Sequence, residues 1–463
     1  MLYASAGFLF LFLPVALAIY ALFPAKLRKY VLIAESVIYY ILANLRTPLA
    51  IPLFAFIVAL TVVAGRLMAR RGFKWIYYFV VTLDVSLIVV LRLLYEYGLF
   101  DFPLGAAVFT LMSVSYLTDI KRGDVEHGSI FDDLLYLTFF PVIVAGPVIK
   151  YKNFVKHTEN ISFGINNFAD GARRFMLGLV GYIALAAVMT QACGIVIERS
   201  GSSIYIPFGI LAAFLIYASF FLALAGWGYI AGGVAQMFGV KLPQDSDFAP
   251  AAITPVAYFS GLLKGFAGWL EDYMITPLFG LPGKRSRFTD AAGGAVFVLA
   301  FSLWIRTTTA TLLGGALVAV LSLVLSMSGA TGLMKRRKYL MPLGWLFSTV
   351  SVAFFWLSCV ADGVEEIITM LSRLSLNVAD YLTSYIFISL SGGRYITVVV
   401  AALIITPLIY YGSRIITRIP RRHRPKISIV GTLLLLGAFV FTLLFFMPDF
   451  PQYASKAFEY LVF

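Results

Sequence analysis

Few side chains in this sequence could perform acid–base or nucleophilic chemistry. The three histidines are the first candidates, because imidazole exchanges protons near neutral pH. They are His127 in a charged turn, His157 directly after Lys156, and His423 inside the run RIPRRHRPK. None stands in an apolar segment beside a nucleophile, and no glycine-rich phosphate loop, metal-ligand spacing or nucleophile elbow accompanies them. These residues alone predict no complete catalytic centre, no metal site and no resident cofactor.

Two acidic residues, Glu35 and Asp84, fall within apolar segments. Ionisable groups at membrane depth are functional candidates by default. The simpler alternative is that each carboxylate faces the protein interior and bonds to neighbouring Tyr or Ser side chains. A proton-relaying transporter is the weaker hypothesis, since the sequence has no internal repeat of the kind that transporters use.

The segments that must position these residues are membrane helices. The chain is 61% hydrophobic and only 13% charged, a balance that excludes an ordinary soluble domain. Its unbroken apolar runs also exclude the alternating pattern of a β-barrel, which predicts an all-α, polytopic integral membrane protein with about 11–13 transmembrane or re-entrant helices. We expect one integral domain over 1–463, with N-terminal helices in 1–100, a core in 101–330 and C-terminal helices in 331–463.

The net charge of +13 comes largely from short basic clusters between the apolar runs, at 26–29, 66–74, 335–338 and 414–426. Cytoplasmic loops of membrane proteins are enriched in Lys and Arg, so this pattern favours membrane topology over nucleic-acid binding. The first apolar run precedes the first lysine, Lys26. The sequence therefore predicts a multi-pass protein of the cell membrane, with its N-terminus outside and membrane lipids as partners.

Three apolar segments contain residues that break helices. Irregular backbone at membrane depth is tolerated only where protein surrounds it or where it lines a cavity. We therefore expect re-entrant or broken helices in the core. The segments and their breakers are 102–123 with Pro103 and Gly105, 134–154 with Pro141, Gly146 and Pro147, and 255–280 with Pro277 and Gly280.

Short motifs recur in a fixed order from about residue 102 to the C-terminus. The most specific is Phe139-Phe140-Pro141 followed by Ala145-Gly146-Pro147. With the others, it resembles the membrane-bound O-acyltransferase (MBOAT) family, in its bacterial branch that modifies alginate, cellulose or teichoic acids. The resemblance implies an MBOAT-like fold around a central tunnel or cavity. The residues that it places at this tunnel are Asp119, Pro141, Gly146, Pro147, Trp269, Glu271, Asp272, Tyr273, Trp304 and Arg306.

The chain departs from the family pattern where chemistry is expected. The family's acyl-transfer histidine follows a Leu-Trp step, whereas here Leu303-Trp304 is followed by Ile305. The second polar catalytic position falls near Leu263, and two acids of another family motif are missing from the run 223–229. Acyl transfer to a hydroxyl needs a base, and such proton transfer contributes about 10²–10⁴ in rate. Isoleucine has no titratable atom.

Two hypotheses follow from the resemblance. The first is a non-catalytic member of a cell-envelope acylation system, which binds a lipid or acyl chain in the old cavity or scaffolds an envelope-modification partner protein. The alternative is an active O-acyltransferase with a substitute base such as Glu271, Asp272 or a tyrosine. It would move acetyl or D-alanyl groups from acetyl-CoA or an acyl-carrier protein onto an extracellular polymer.

Overall fold

In the computed structural model, the described residues are 5–125, 128–143, 146–158, 161, 163–199, 204–376 and 424–447. Several sequence features lie outside them. These are His127, Ala145, His423 and the rest of 377–423, which belongs to the region where C-terminal helices are expected.

The described residues fold almost entirely into helices. The α-helices are α1 (Leu13–Leu22), α2 (Ala25–Ala43), α3 (Ala50–Arg71), α4 (Lys74–Glu96), α5 (Ala106–Arg122), α6 (Ile130–Thr138), α7 (Phe140–Ile143), α8 (Tyr151–Thr158), α9 (Ile165–Leu179), α10 (Val188–Arg199), α11 (Ile206–Met237), α12 (Pro255–Leu262), α13 (Lys264–Leu270), α14 (Thr276–Phe279), α15 (Arg287–Ile305), α16 (Thr309–Met327), α17 (Ala330–Arg336), α18 (Met341–Val360), α19 (Val364–Ser372) and α20 (Arg424–Phe445). Short 3₁₀ turns cover Ala249–Ala251 and Lys338–Leu340, and π-helical turns cover Gly7–Phe12, Val180–Ala187 and Glu271–Ile275. Two short parallel strands, β1 (Ile204–Tyr205) and β2 (Leu374–Ser375), pair with Ile204 opposite Leu374.

Seven helical segments within the described ranges are long and apolar enough to cross a membrane, and two shorter apolar helices lie near the ends of the chain. This confirms the prediction of an all-α, polytopic membrane protein. Apolar length is a reliable signal because the bilayer core requires about 20 apolar helical residues per crossing. The outside location of the N-terminus remains a prediction.

Small residues let the long helices approach each other closely. Helix α9 runs antiparallel to α11, and Gly171 faces Gly233 while Gly178 faces Gly226. A Cβ atom at Gly171, Gly178 or Gly233 would collide with backbone of the other helix, and one at Gly226 would lie only 3.0 Å from the Gly178 carbonyl oxygen. Small residues commonly replace bulky ones at such contacts in membranes, because packing rather than the hydrophobic effect joins the helices there.

The helix breakers act at different points from those expected. Helix α5 is continuous, and Pro103 and Gly105 precede it instead of interrupting it. Gly105 is its N-cap, with a φ of 85° that glycine adopts readily. Pro103 and Gly105 therefore do not break the helix, but the segment forms only one 17-residue helix, which is not among the seven candidate membrane spans.

The predicted break in 134–154 is confirmed. Helix α6 ends at Thr138, the four-residue α7 follows Phe139, and the non-helical residues 146–150 precede α8. A Cβ atom on Gly146 would collide with the backbone of Val142, so glycine is required where this stretch doubles back. Pro141 lies in the first turn of α7, where its missing N–H costs no helical hydrogen bond.

The predicted interruption in 255–280 is also confirmed, but it lies at Leu263. This residue separates α12 from α13 and has an extended backbone, with φ −132° and ψ 79°. Pro277 stays within the first turn of α14 and interrupts nothing. The break at Leu263 frees the backbone of α13 to bond to a distant connection, as described below.

The two ends of the bundle differ in charge. At one end, which we call the basic face, Lys29 pairs with Asp132 and Arg66 pairs with Asp133 at 2.6 Å. Helix α4 starts beside this face at Lys74 and ends at Glu96, whose carboxylate accepts a hydrogen bond from Thr307 just after α15. The C-terminal end of α15 therefore lies at the end of the bundle opposite the basic face.

Candidate active site

Helix α15 ends at Ile305, and this end is firmly held. The Ile305 side chain is fully buried. The carbonyl of the preceding residue, Trp304, accepts a hydrogen bond of 2.9 Å from Arg92 of α4, and its indole stacks on Phe266 of α13 with ring centres 4.6 Å apart. The position after the Leu-Trp step is thus an apolar packing site between helices.

Arg306 leaves the helix in an extended conformation and turns towards α18. Its guanidinium donates to the carbonyl of Cys359 at 3.0 Å and to the carboxylate of Asp362 at 2.8 Å. These bonds tie the end of α15 to the end of α18. Arg306, which the resemblance places at the tunnel, therefore links the end of α15 to the end of α18.

A cavity lies directly beside Trp304. Its free volume is about 20 Å³, and it lies between α5, α11, the non-helical residues before α8 and the connection from α11 to α12. We call it the Asp245 cavity, and its lining residues are Val108, Gly146, Leu224, Trp227, Gly228, Asp245, Leu263 and Trp304. Three residues predicted from the sequence, Gly146, Leu263 and Trp304, thus meet at one cavity.

Asp245 is the one ionisable residue among the described lining residues of this cavity. Its carboxylate accepts a hydrogen bond of 2.7 Å from the backbone N–H of Gly265, which the break at Leu263 leaves available. Burial raises the pKa of Asp245 to about 6, although the Gly265 N–H and the charges of Arg174 and Lys264 act in the opposite direction. The carboxylate is therefore poised to change its charge near neutral pH.

Sequence analysis missed Asp245, since the run KLPQDSDFAP reads as an ordinary polar connection. The local signal was present: two acids, Asp245 and Asp247, stand in a proline-flanked stretch between apolar helices. The two acids differ only after folding. The Asp245 side chain is buried, whereas the Asp247 side chain is 64% exposed and pairs with Lys264.

A second group of polar residues forms what we call the lysine–aspartate cluster. Asp272 accepts from Lys150 at 2.6 Å and lies 3.3 Å from Lys152. Asp119 accepts from the Tyr273 hydroxyl at 2.7 Å and from the Lys152 backbone N–H at 2.9 Å. Burial alone would raise the pKa of Asp272, but the two lysines outweigh it and hold this pKa below its usual range. Asp272 is therefore an ionised partner in ion pairs.

The other predicted residues have structural contacts outside the Asp245 cavity. Glu271 pairs with Arg285 and accepts from the Thr276 hydroxyl. The Trp269 indole donates to the Leu111 carbonyl at 2.8 Å. Pro141 and Pro147 are buried in the broken segment.

The two intramembrane acids are both buried. Asp84 accepts from the Ser113 hydroxyl at 2.5 Å, and Ser113 in turn lies 2.9 Å from the Thr61 hydroxyl. The expected bond to a Ser neighbour is therefore confirmed for Asp84. The Glu35 carboxylate has no hydrogen-bond partner among the residues that the structure describes, so the same expectation is not confirmed for Glu35.

No family model matches the chain, but known proteins are similar to it over most of its length. The chain is 23% identical over 390 residues to the "Probable alginate O-acetylase" of Pseudomonas aeruginosa, covering 79% of this chain and 73% of that protein. It is 22% identical over 436 residues to the protein of the same name from Azotobacter vinelandii, covering 85% of each. It is also 23% identical over 254 residues to the "Teichoic acid D-alanyltransferase" of Lacticaseibacillus rhamnosus, covering 50% of this chain and 61% of that protein.

These similarities support a membrane-bound O-acyltransferase-like family for the chain. Its relatives are acyltransferases of the type that acylates cell-envelope polymers. The family resemblance reserves two positions for polar catalytic residues, one near Leu263 and the other at Ile305. Leu263 lines the Asp245 cavity, whereas Ile305 is fully buried directly after the lining residue Trp304.

The run 223–229, where the resemblance predicts two acids, lies on α11 against the same cavity. Trp227 and Gly228 line the cavity, whereas Ala223 is buried in the core. Tyr229 accepts a hydrogen bond of 2.7 Å from Gln244, beside Asp245. The ionisable side chain that lines this cavity thus comes from the connection at 241–250, not from α11 or α15.

Proposed function

We propose that this membrane-bound O-acyltransferase serves in cell-envelope polymer acylation as a binding or scaffold protein, and that it does not perform histidine-dependent acyl transfer. The observation that carries the proposal is Ile305. It is fully buried and apolar at the position that the resemblance assigns to the transferring histidine. Without a titratable atom there, the proton of an acceptor hydroxyl has no base to receive it.

Leu263 supports the same proposal. It lines the Asp245 cavity at the family's second polar position, and it offers no hydrogen bond to a reacting group. His157, the one histidine within the described part of the chain, lies in the last turn of α8 and does not line the cavity. Membrane lipids, envelope-modification proteins and an acyl-carrier protein are the partners that we propose, and the binding role requires no cofactor.

A specific observation favours a second candidate function, an active O-acyltransferase with Asp245 as its base. The carboxylate lines the cavity, and a base is most effective when its pKa lies near the working pH. Glu271 and Asp272, the substitute bases suggested by the sequence, are less suitable because each is held in an ion pair.

An acyl-transfer assay on the full-length protein in lipid nanodiscs separates the two functions. Unmodified protein, Ile305→His and Asp245→Asn would each be supplied with an acyl thioester donor and a hydroxyl-bearing polymer fragment. Ile305→Leu, which keeps the site apolar, is the matched control for repacking. We expect no turnover by the unmodified protein or by Ile305→Leu.

Turnover that appears only in Ile305→His would support a scaffold that lost its histidine. Turnover by the unmodified protein that disappears in Asp245→Asn would refute the non-catalytic proposal and establish the second function. A thermal melting curve for each variant distinguishes loss of activity from loss of folding.

A further inference from the structure

The Asp245 carboxylate accepts one hydrogen bond from the described residues, from the Gly265 N–H at 2.7 Å, and it forms no ion pair with them. Two cations act on Asp245 through their charge, Arg174 and Lys264, but both bond to other groups. Arg174 donates to the carbonyls of Leu242 and Pro243 at 3.0 and 3.1 Å, and the Lys264 ammonium pairs with Asp247 at 2.5 Å.

A buried carboxylate without a countercharge is costly, so the site favours a bound cation or a proton. The walls indicate which kind of cation fits. Trp227 and Trp304 supply indole rings, and Val108, Leu224 and Leu263 supply apolar surface. Indole rings attract organic cations through their π-electrons.

A hard metal ion fits this environment poorly. Calcium requires six to eight oxygen ligands and magnesium a full octahedral set. The described walls contribute one carboxylate side chain, two indoles and otherwise apolar residues or glycine. The environment therefore favours an organic ammonium over a metal ion.

The size of the cavity limits the ligand. Its free volume of about 20 Å³ is far below the range of about 300–1,000 Å³ that is usual for small-molecule sites. It admits a group about the size of an ammonium, whereas a long acyl chain does not fit. The lipid- or acyl-filled cavity that the sequence suggests is therefore a poor description of this site, which is small and carries a carboxylate.

We propose that the Asp245 cavity binds a compact primary ammonium group, with Asp245 as its ion-pair partner and the indoles of Trp227 and Trp304 as its aromatic walls. This inference rests on the proposed binding function and names the chemical class of its ligand. The ammonium could belong to an ethanolamine lipid headgroup or to a small soluble amine such as an amino-acid ester. Both present the same –NH₃⁺ group to Asp245.

The test uses full-length protein in phosphatidylglycerol nanodiscs at pH 7.5 and measures binding by titration calorimetry. Ethanolamine and ethylene glycol form the matched ligand pair, because they differ chiefly in an ammonium against a hydroxyl. We expect saturable binding of ethanolamine and at least about tenfold weaker binding of ethylene glycol, since an uncompensated buried charge is expensive. Glycine methyl ester and methyl glycolate provide a second such pair for the amino-acid ester.

Asp245→Asn is the informative variant, because its amide oxygen can still accept from Gly265. It should weaken ethanolamine binding at least about tenfold. Asp170→Asn is the control, since Asp170 is 57% exposed and does not line the cavity. It should bind ethanolamine as the unmodified protein does.

The source of the ammonium is identified by repeating the titration in phosphatidylethanolamine nanodiscs. Loss of ethanolamine binding there indicates that the lipid headgroup already occupies the site, and unchanged binding indicates a soluble amine; either result agrees with the proposal. Equal binding of ethanolamine and ethylene glycol by the unmodified protein would overturn it, and so would absence of ethanolamine binding in phosphatidylglycerol.

Unchanged ethanolamine affinity in Asp245→Asn would also overturn the proposal. If this variant does not fold, the comparison of the matched ligands on unmodified protein still decides the matter. The result is independent of the acyl-transfer assay. Turnover by the unmodified protein would refute the non-catalytic function without removing a measured preference for ammonium.

Discussion

Asp245 should make the ligand-free protein less stable as the pH rises. Burial raises its pKa to about 6 in the folded protein, against an ordinary value of 3.8 that we take for the unfolded chain. Between these two pH values the unfolded chain loses the proton first, so the folded state binds more protons. Stability is therefore greatest below about pH 4 and is lost as the pH rises through 6. Arg174 and Lys264 already reduce the effect and are included in this pKa.

The magnitude follows from the two pKa values. They differ by about two, and each unit corresponds to about 1.4 kcal/mol, so the penalty above pH 7 is about 3 kcal/mol. Asp245→Asn removes the titration but retains an oxygen that can accept from Gly265. The variant should therefore be more stable than the unmodified protein at pH 7.5 by up to about 3 kcal/mol, and equal to it near pH 4.

Reversible chemical denaturation in nanodiscs at pH 4, 6 and 7.5 measures this difference. Asp170→Asn serves as the control, because Asp170 is exposed and does not line the cavity. A stability difference for Asp245→Asn that does not change with pH would refute the reasoning. Lower stability of this variant at pH 7.5 would refute it as well, because it would show that the carboxylate is stabilising when charged.

Two further predictions concern the framework around the cavity. Gly146→Ala should destabilise the protein by about 3 kcal/mol or prevent its folding, because the new Cβ collides with Val142 backbone; Gly164→Ala, which meets no atom within 4 Å, should melt almost normally. Asp272→Asn should cost about 1 kcal/mol at neutral pH, because it breaks the partly buried pairs with two lysines, whereas Asp170→Asn should cost almost nothing. The stabilisation by Asp272 should decrease as the pH falls through the lowered pKa of this carboxyl group. Equal pH profiles of the unfolding free energy for Asp272→Asn and Asp170→Asn would contradict this prediction.

The sequence by itself determined the helical membrane architecture and the break between α6 and α8. Apolar runs long enough to cross a bilayer allow few alternatives to helices, because the bilayer leaves no solvent for unpaired backbone groups. The break between α6 and α8 was predictable for the same local reason, since Pro141, Gly146 and Pro147 stand close together in an apolar segment. The order of short motifs also predicted the resemblance to the membrane-bound O-acyltransferase family, and the similarity to alginate O-acetylases supports it.

Local signals failed where a helix breaker had more than one possible effect. Pro103, Gly105 and Pro277 suggested interruptions, yet Pro103 and Gly105 precede α5 and Pro277 lies in the first turn of α14. A proline in the first turn lacks only an N–H that the helix would leave unbonded anyway. The actual break lies at Leu263, a residue whose type predicts no break.

Only the tertiary structure decided which side chains form the site. Asp245 and Asp247 are two residues apart, but one lines the cavity and the other faces solvent beside Lys264. The difference arises because the connection folds against Gly265, twenty residues away along the chain. Likewise, the ion pair of Asp272 with Lys150 joins positions 122 residues apart. Sequence patterns report the local backbone and its apolar faces, whereas burial and ion pairing depend on which distant segments pack together.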